Sequence, residues 1–158
     1  MVNRSAEDAF TRGLDALTHG RGREALALFE AAIEIEKRCG ATRPQARYLS
    51  FYGLCLAIEK KQLSEGIRFC QEALNLEFFN PDLCCNLGRL LFRSGRRKEA
   101  FEVLLKGYSL QPSHQGIFEE LARMGMRRRP VLGFLSRNNP INVVLGKMTR
   151  AGAGDAAR

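Results

Sequence analysis

Through most of this chain, apolar residues recur every three to four positions, which is the spacing of one buried face of an α-helix. Leu83, Leu87, Leu90 and Leu91 fall on one such face, and Ala100, Phe101, Leu104, Leu105 and Tyr108 fall on that of the next stretch. Short polar turns separate the stretches in pairs: His19-Gly20-Arg21-Gly22, Lys60-Lys61-Gln62 and Ser94-Gly95-Arg96. The pattern predicts an all-α chain of three helical hairpins, with Phe29 and Leu87 among its core residues.

The three segments share one skeleton. Gly13, Ala25, Phe29 and Ala32 mark the first, and Gly53, Gly66, Cys70 and Ala73 the second. The third carries Leu87, Gly88, Gly95, Ala100, Leu104, Gly107 and Pro112. The leading glycines lie 40 and then 35 residues apart, and the longer interval contains a loop over Cys39 to Gln45, marked by Gly40 and Pro44. Small residues at Gly13, Gly53 and Gly88, and at Ala25, Gly66 and Ala100, would let paired helices approach closely. A single hairpin cannot bury its apolar face alone, but stacked hairpins form a continuous core.

On Asn86-Leu87-Gly88, Gly95, Ala100 and Pro112, the third segment resembles the tetratricopeptide repeat family, and the resemblance extends over about residues 6 to 125. It implies a right-handed α-solenoid of three repeats. After Pro112, Ser113 is placed to cap a further helix bearing Ile117, Phe118, Leu121, Ala122 and Met124, the expected terminal cap of the stack. The expected domain is therefore 1–126, followed by a C-terminal segment 127–158.

In that family the first helix of each repeat lines a concave groove. Counting from the aligned glycines places Phe10, Leu14 and Leu17 there from the first repeat. Ser50, Leu54 and Ala57 come from the second, and Cys85, Arg89, Phe92 and Arg93 from the third. One family use of the groove, clamping the terminal carboxylate of heat-shock chaperones, needs Lys and Asn at matched sites. Those sites here hold Phe10, Leu14, Phe51, Asp82 and Asn86, so this ligand is not expected. An apolar floor with Arg89 and Arg93 at one end suits a short helix or extended segment with apolar anchors.

Charge adds a second feature. The chain carries +8. Residues 1–120 hold 17 basic and 16 acidic side chains, whereas residues 121–158 hold eight basic and one acidic. The C-terminal segment thus concentrates Arg127, Arg128, Arg129, Arg137, Lys147 and Arg150 beside two apolar clusters, Val131-Leu132-Gly133-Phe134-Leu135 and Ile141 to Met148. Pro140 after Asn139 is a helix start. The many apolar groups favour a segment docked to about residue 150, with a frayed end beyond.

The five cysteines lack metal-ligand spacing and, four of them being in helical patterns, read as small buried hydrophobes. Gly146-Lys147-Met148-Thr149 fails the phosphate-loop pattern, because Met148 follows the lysine and Ile141 replaces the leading glycine. His19 and His114 have no sequence-local catalytic partner. No enzyme, cofactor or metal is expected. No stretch approaches the ~20 apolar residues of a membrane span, and the first ten residues contain no signal-like apolar run, so a cytoplasmic protein is expected. The functional reading is a protein-interaction module or scaffold that binds a protein or peptide partner. A small chaperone for an unfolded or secreted client is the alternative. Attachment to nucleic acid or anionic membrane through the basic segment is a third, less favoured reading.

Overall fold

The computed structural model describes residues 3–124, and within them every regular element is a helix. In chain order these are α1 (Arg4–Thr18), α2 (Gly22–Arg38), α3 (Ala46–Glu59), α4 (Leu63–Leu76), α5 (Pro81–Arg93), α6 (Arg97–Leu110) and α7 (Gln115–Arg123). Among the described residues, no helix is long and apolar enough to cross a membrane. The chain divides into two units, Met1–Glu120 and Leu121–Arg158, and of the second only residues 121–124 are described. The expected segment 127–158 lies outside the described residues.

Local chemistry explains the helix ends. At α1, the Asn3 side chain accepts hydrogen bonds from the backbone N–H groups of Ser5 (3.0 Å) and Ala6 (3.3 Å). At α5, Asn80 accepts from the Asp82 N–H at 3.1 Å, Pro81 opens the helix, and Asp82 places a negative charge in the first turn. Both are the side-chain satisfaction of orphan N–H groups that helix N-termini need.

The second helix of each hairpin starts without a side-chain cap. In the first and third hairpins the turn is closed by the backbone instead: Arg21 N–H donates to Ala16 C=O at 2.8 Å, and Arg96 N–H to Leu91 C=O at 3.0 Å. The middle residue of each three-residue turn adopts a left-handed conformation, with φ +73° at Gly20, +61° at Lys61 and +82° at Gly95. Glycine takes that conformation without a Cβ clash, whereas Lys61 does not.

Within each hairpin the helices meet at the small residues expected from the sequence. A Cβ on Gly13 would stand 2.5 Å from the Phe29 ring, and one on Gly88 would stand 2.5 Å from Leu104. The second hairpin is tightest. There Gly53 and Gly66 face each other's backbone, and a Cβ on Gly53 would lie 2.8 Å from the Gly66 carbonyl oxygen. Phe29, Leu87, Leu104, Ala25, Ala73 and Ala100 are fully buried at these crossings.

Successive hairpins are joined by an aromatic cluster and by polar ties. Phe10 stacks against Phe29, Tyr48 and Phe51, with ring centroids 4.8–5.6 Å apart. The loop 39–45 is anchored by Glu36, a buried carboxylate that accepts from the Gln45 backbone N–H at 2.8 Å and from its side-chain amide at 2.9 Å. Glu36 thereby serves the start of α3, where Gln45 makes no side-chain cap of its own. The next helix continues the stack: Ile117 of α7 is fully buried and packs where Gly107 and Cys84 leave room.

Two substitutions in the second hairpin should move stability in opposite directions, as read by urea titration. Gly53→Ala, a change that stabilises an ordinary exposed helix, should here destabilise by roughly 1–3 kcal/mol, because the methyl group meets backbone and Phe69. Lys61→Gly should stabilise by roughly 0.5–1 kcal/mol by relieving the left-handed lysine.

Candidate functional site: the face of the first helices

Helices α1, α3 and α5 are the first members of the three hairpins, and their shared register defines one face. The structure sorts the residues expected on it into two groups. Leu14, Leu17 and Phe92 are half-buried and Arg93 is exposed, so these keep part of their surface open. Phe10 and Leu54, expected in the groove, are instead core residues, only 4% and 1% exposed. Phe10 is enclosed by the aromatic cluster between the first two hairpins. Ser50, Ala57 and Cys85 are buried as well.

The polar groups of this face are largely committed to one another. Glu7 of α1 binds Arg47 of α3 and accepts a 2.8 Å hydrogen bond from the Tyr48 hydroxyl. The Arg47 guanidinium also sits over the Phe10 ring, 5.1 Å from its centroid. Burial, with the Glu7 carboxylate beside it, pushes the Tyr48 hydroxyl pKa well up. The Asn86 amide donates to the Ser50 hydroxyl at 3.1 Å, tying α5 to α3 in a buried contact. Asn86, the one clamp-like side chain at the chaperone-clamp sites, is therefore already engaged.

Arg89, expected as a cationic anchor for a ligand, is also engaged. Its Nε donates to Glu120 of α7 at 2.6 Å, and Glu120 is only 2% exposed. The pair lies 31 positions apart in sequence, beyond any helix-spacing rule. One signal was available: Glu120 falls three residues after Ile117, on the apolar side of α7, where a carboxylate requires a cationic partner.

His114, which has no local partner in sequence, finds one across 32 positions. The Ile117 N–H donates to His114 Nδ1 at 3.2 Å, and Nε2 stands 2.9 Å from Asp82 Oδ1. The first bond requires an unprotonated Nδ1, so the neutral ring carries its hydrogen on Nε2 and donates to Asp82. His114 thus caps α7 and ties it to the start of α5. His19 is exposed beside Asp15 at a helix end.

Cys39, expected to be buried, is exposed, whereas the other four cysteines are buried and unreactive. Burial pushes the thiols of Cys55 and Cys70 up to about 12 and that of Cys85 up to about 11, and it raises Cys84 as well. Thiols held protonated in this way are poor nucleophiles and poor metal ligands. Among the described residues, no cluster of three or more His, Cys, Asp or Glu side chains could hold a metal ion. Arg127, Arg128, Arg129, Arg137, Lys147 and Arg150 lie outside the described residues.

Arg89→Ala removes the guanidinium that neutralises a buried carboxylate. It should destabilise the protein by about 2–3 kcal/mol, somewhat less than a fully buried pair because the arginine is partly exposed. Arg89→Ala combined with Glu120→Gln should recover part of that loss, and a double-mutant cycle of urea midpoints checks the coupling.

Comparison with known proteins agrees with this geometry. Residues 81–114 match the tetratricopeptide repeat family. No curated protein matches the chain by sequence. Among solved structures, the Arabidopsis OM64 tetratricopeptide domain superposes with a TM-score of 0.61 at 17% identity, over 76% of this chain and 93% of that one. The second tetratricopeptide domain of human RPAP3, in complex with an HSP70 peptide, gives 0.56 at 18% identity, over 76% and 92%. The Yersinia enterocolitica type III secretion chaperone SycD, in complex with a peptide of the translocator YopD, gives 0.56 at 16% identity, over 77% and 88%. One hairpin, residues 81–114, matches the tetratricopeptide repeat family by sequence, and the stack of hairpins has the tetratricopeptide fold.

Proposed function

We propose that this protein is an interaction module that holds a peptide or short helix of a partner protein along the first-helix face. The observation carrying this reading is the division of that face. Its polar groups are largely paired internally, while Leu14, Leu17 and Phe92 keep part of their apolar surface open and Arg93 stands exposed beside Phe92. A half-open apolar row on a rigid stack is what an amphipathic or extended segment can bury. The peptide complexes of SycD and RPAP3 support the reading, because a stack of the same kind carries a peptide in each.

The pairing of Arg89 with Glu120 alters the ligand expected from sequence. Arg93 is then the cation of this face left to meet a partner's acidic residue, and apolar anchors carry most of the contact. A chaperone for a secreted client is a second reading, supported by the fold likeness to the type III secretion chaperone SycD and to PcrH in complex with the chaperone binding region of PopB. A cytoplasmic, non-catalytic protein goes with either reading.

The test uses residues that are open rather than buried. Leu17→Glu with Phe92→Glu should reduce partner capture about tenfold or more, while the melting temperature stays nearly unchanged. A photo-crosslinking side chain at position 17 should trap a partner that the same group at Arg68, on α4, does not. Equal trapping at both positions would refute the site. Leu54→Glu is unsuitable, because it buries a charge and so tests stability instead of binding.

A further inference from the structure

The large apolar side chains left exposed among the described residues are Phe78, Phe79 and Leu110. They belong to a single edge of the stack, outside the first-helix row. Phe78 and Phe79 form the turn between α4 and α5 and are 50% and 69% exposed. Gln111 borders the same hollow as the two rings, and Lys106 reaches over the Phe78 ring, 5.4 Å from its centroid. Leu110 lies on the stretch of chain between Lys106 and Gln111.

The two rings are held in place rather than free. Their centroids are 4.0 Å apart, Lys106 covers one face of Phe78, and Asn80 closes the turn by donating to Glu77 at 3.2 Å. An ordered aromatic pair in water loses little conformational entropy on binding, and aromatic side chains dominate the energy of protein contacts.

The charges around the pair indicate what covers it. Glu77 and Asp82 line the same hollow as the rings, and Lys106 lies over Phe78. A rim of both signs is complementary to itself: two copies related by a two-fold axis at the aromatic pair can set Lys106 of each against the carboxylates of the other. The two carboxylates oppose an anionic membrane, and a partner of one sign would match only half of the rim. We propose that the Phe78–Phe79 edge is the contact between two copies of this chain, an isologous dimer that leaves Leu14, Leu17 and Phe92 free.

Sedimentation equilibrium of the full chain, from micromolar to sub-millimolar concentration, tests this directly. The expected species has twice the 17.7 kDa mass of one chain and dissociates on dilution. Phe79→Asp should raise the dissociation constant about tenfold or more. Because that ring is mostly exposed, its circular dichroism melt should match the parent, and Phe79→Ser serves as a second variant free of added charge. Glu77→Lys and Lys106→Glu should each weaken the dimer, and the combined swap should restore it to within about threefold, because the rim is then complementary again with its signs reversed. A chain that is monomeric throughout the range would overturn the proposal. So would a dimer indifferent to both Phe79 variants, or a combined swap no tighter than either single change.

Discussion

The structure depends on how closely the two helices of each hairpin approach. In the second hairpin, Gly53 and Gly66 bring one backbone against the other, and in the first and third a glycine receives a bulky side chain, Phe29 or Leu104. That closeness demands a short turn, and all three hairpins use three residues between their helices. The geometry of so short a turn in turn demands a left-handed middle residue. Where the chain supplies lysine instead of glycine, Lys61 adopts the conformation anyway, because the packing on either side of the turn outweighs the local strain of about 1–2 kcal/mol. Local preference yields to tertiary contact at that position.

The stacking of one hairpin on the next follows a different logic. Aromatic rings, with Glu7 held by Arg47 and Tyr48, fill the junction of the first and second hairpins, whereas the later junctions rely on single polar ties: Asn86 to Ser50, Arg89 to Glu120, and His114 to Asp82. Paired polar groups of this kind tolerate few alternative registers, because a slipped helix would break the pairing. These ties lie along the first helices, the same face proposed above to meet a partner. Its groups therefore divide between holding the stack together and remaining open. Leu14, Leu17, Phe92 and Arg93 are on the open side of that division.

The Phe78–Phe79 turn stands apart from both. It fills no junction, and its rings are ordered by their own stacking and by Lys106. The sequence shows the two phenylalanines at the end of an amphipathic helix, where they could equally have turned inward. Their exposure depends on the path of the chain between α4 and α5, and no periodic pattern encodes it.

The sequence alone determined the helices, the three turns, the loop after α2 and the small residues at each crossing. All of these arise from interactions within a few turns of chain or from a pattern that repeats at about 34 residues. The sequence's first-helix register defined one candidate face. Which members of that face remain open was decided only in three dimensions. Phe10 and Leu54 sit at the same register positions as exposed groove residues would, and became core because neighbouring hairpins supply rings and side chains that cover them. Arg89 became an internal partner because a carboxylate 31 residues away is carried to it by α7. Periodicity reports which way a side chain points along its own helix. Burial and pairing depend on what the next helix brings to that position, and this is a property of the stack rather than of any one segment.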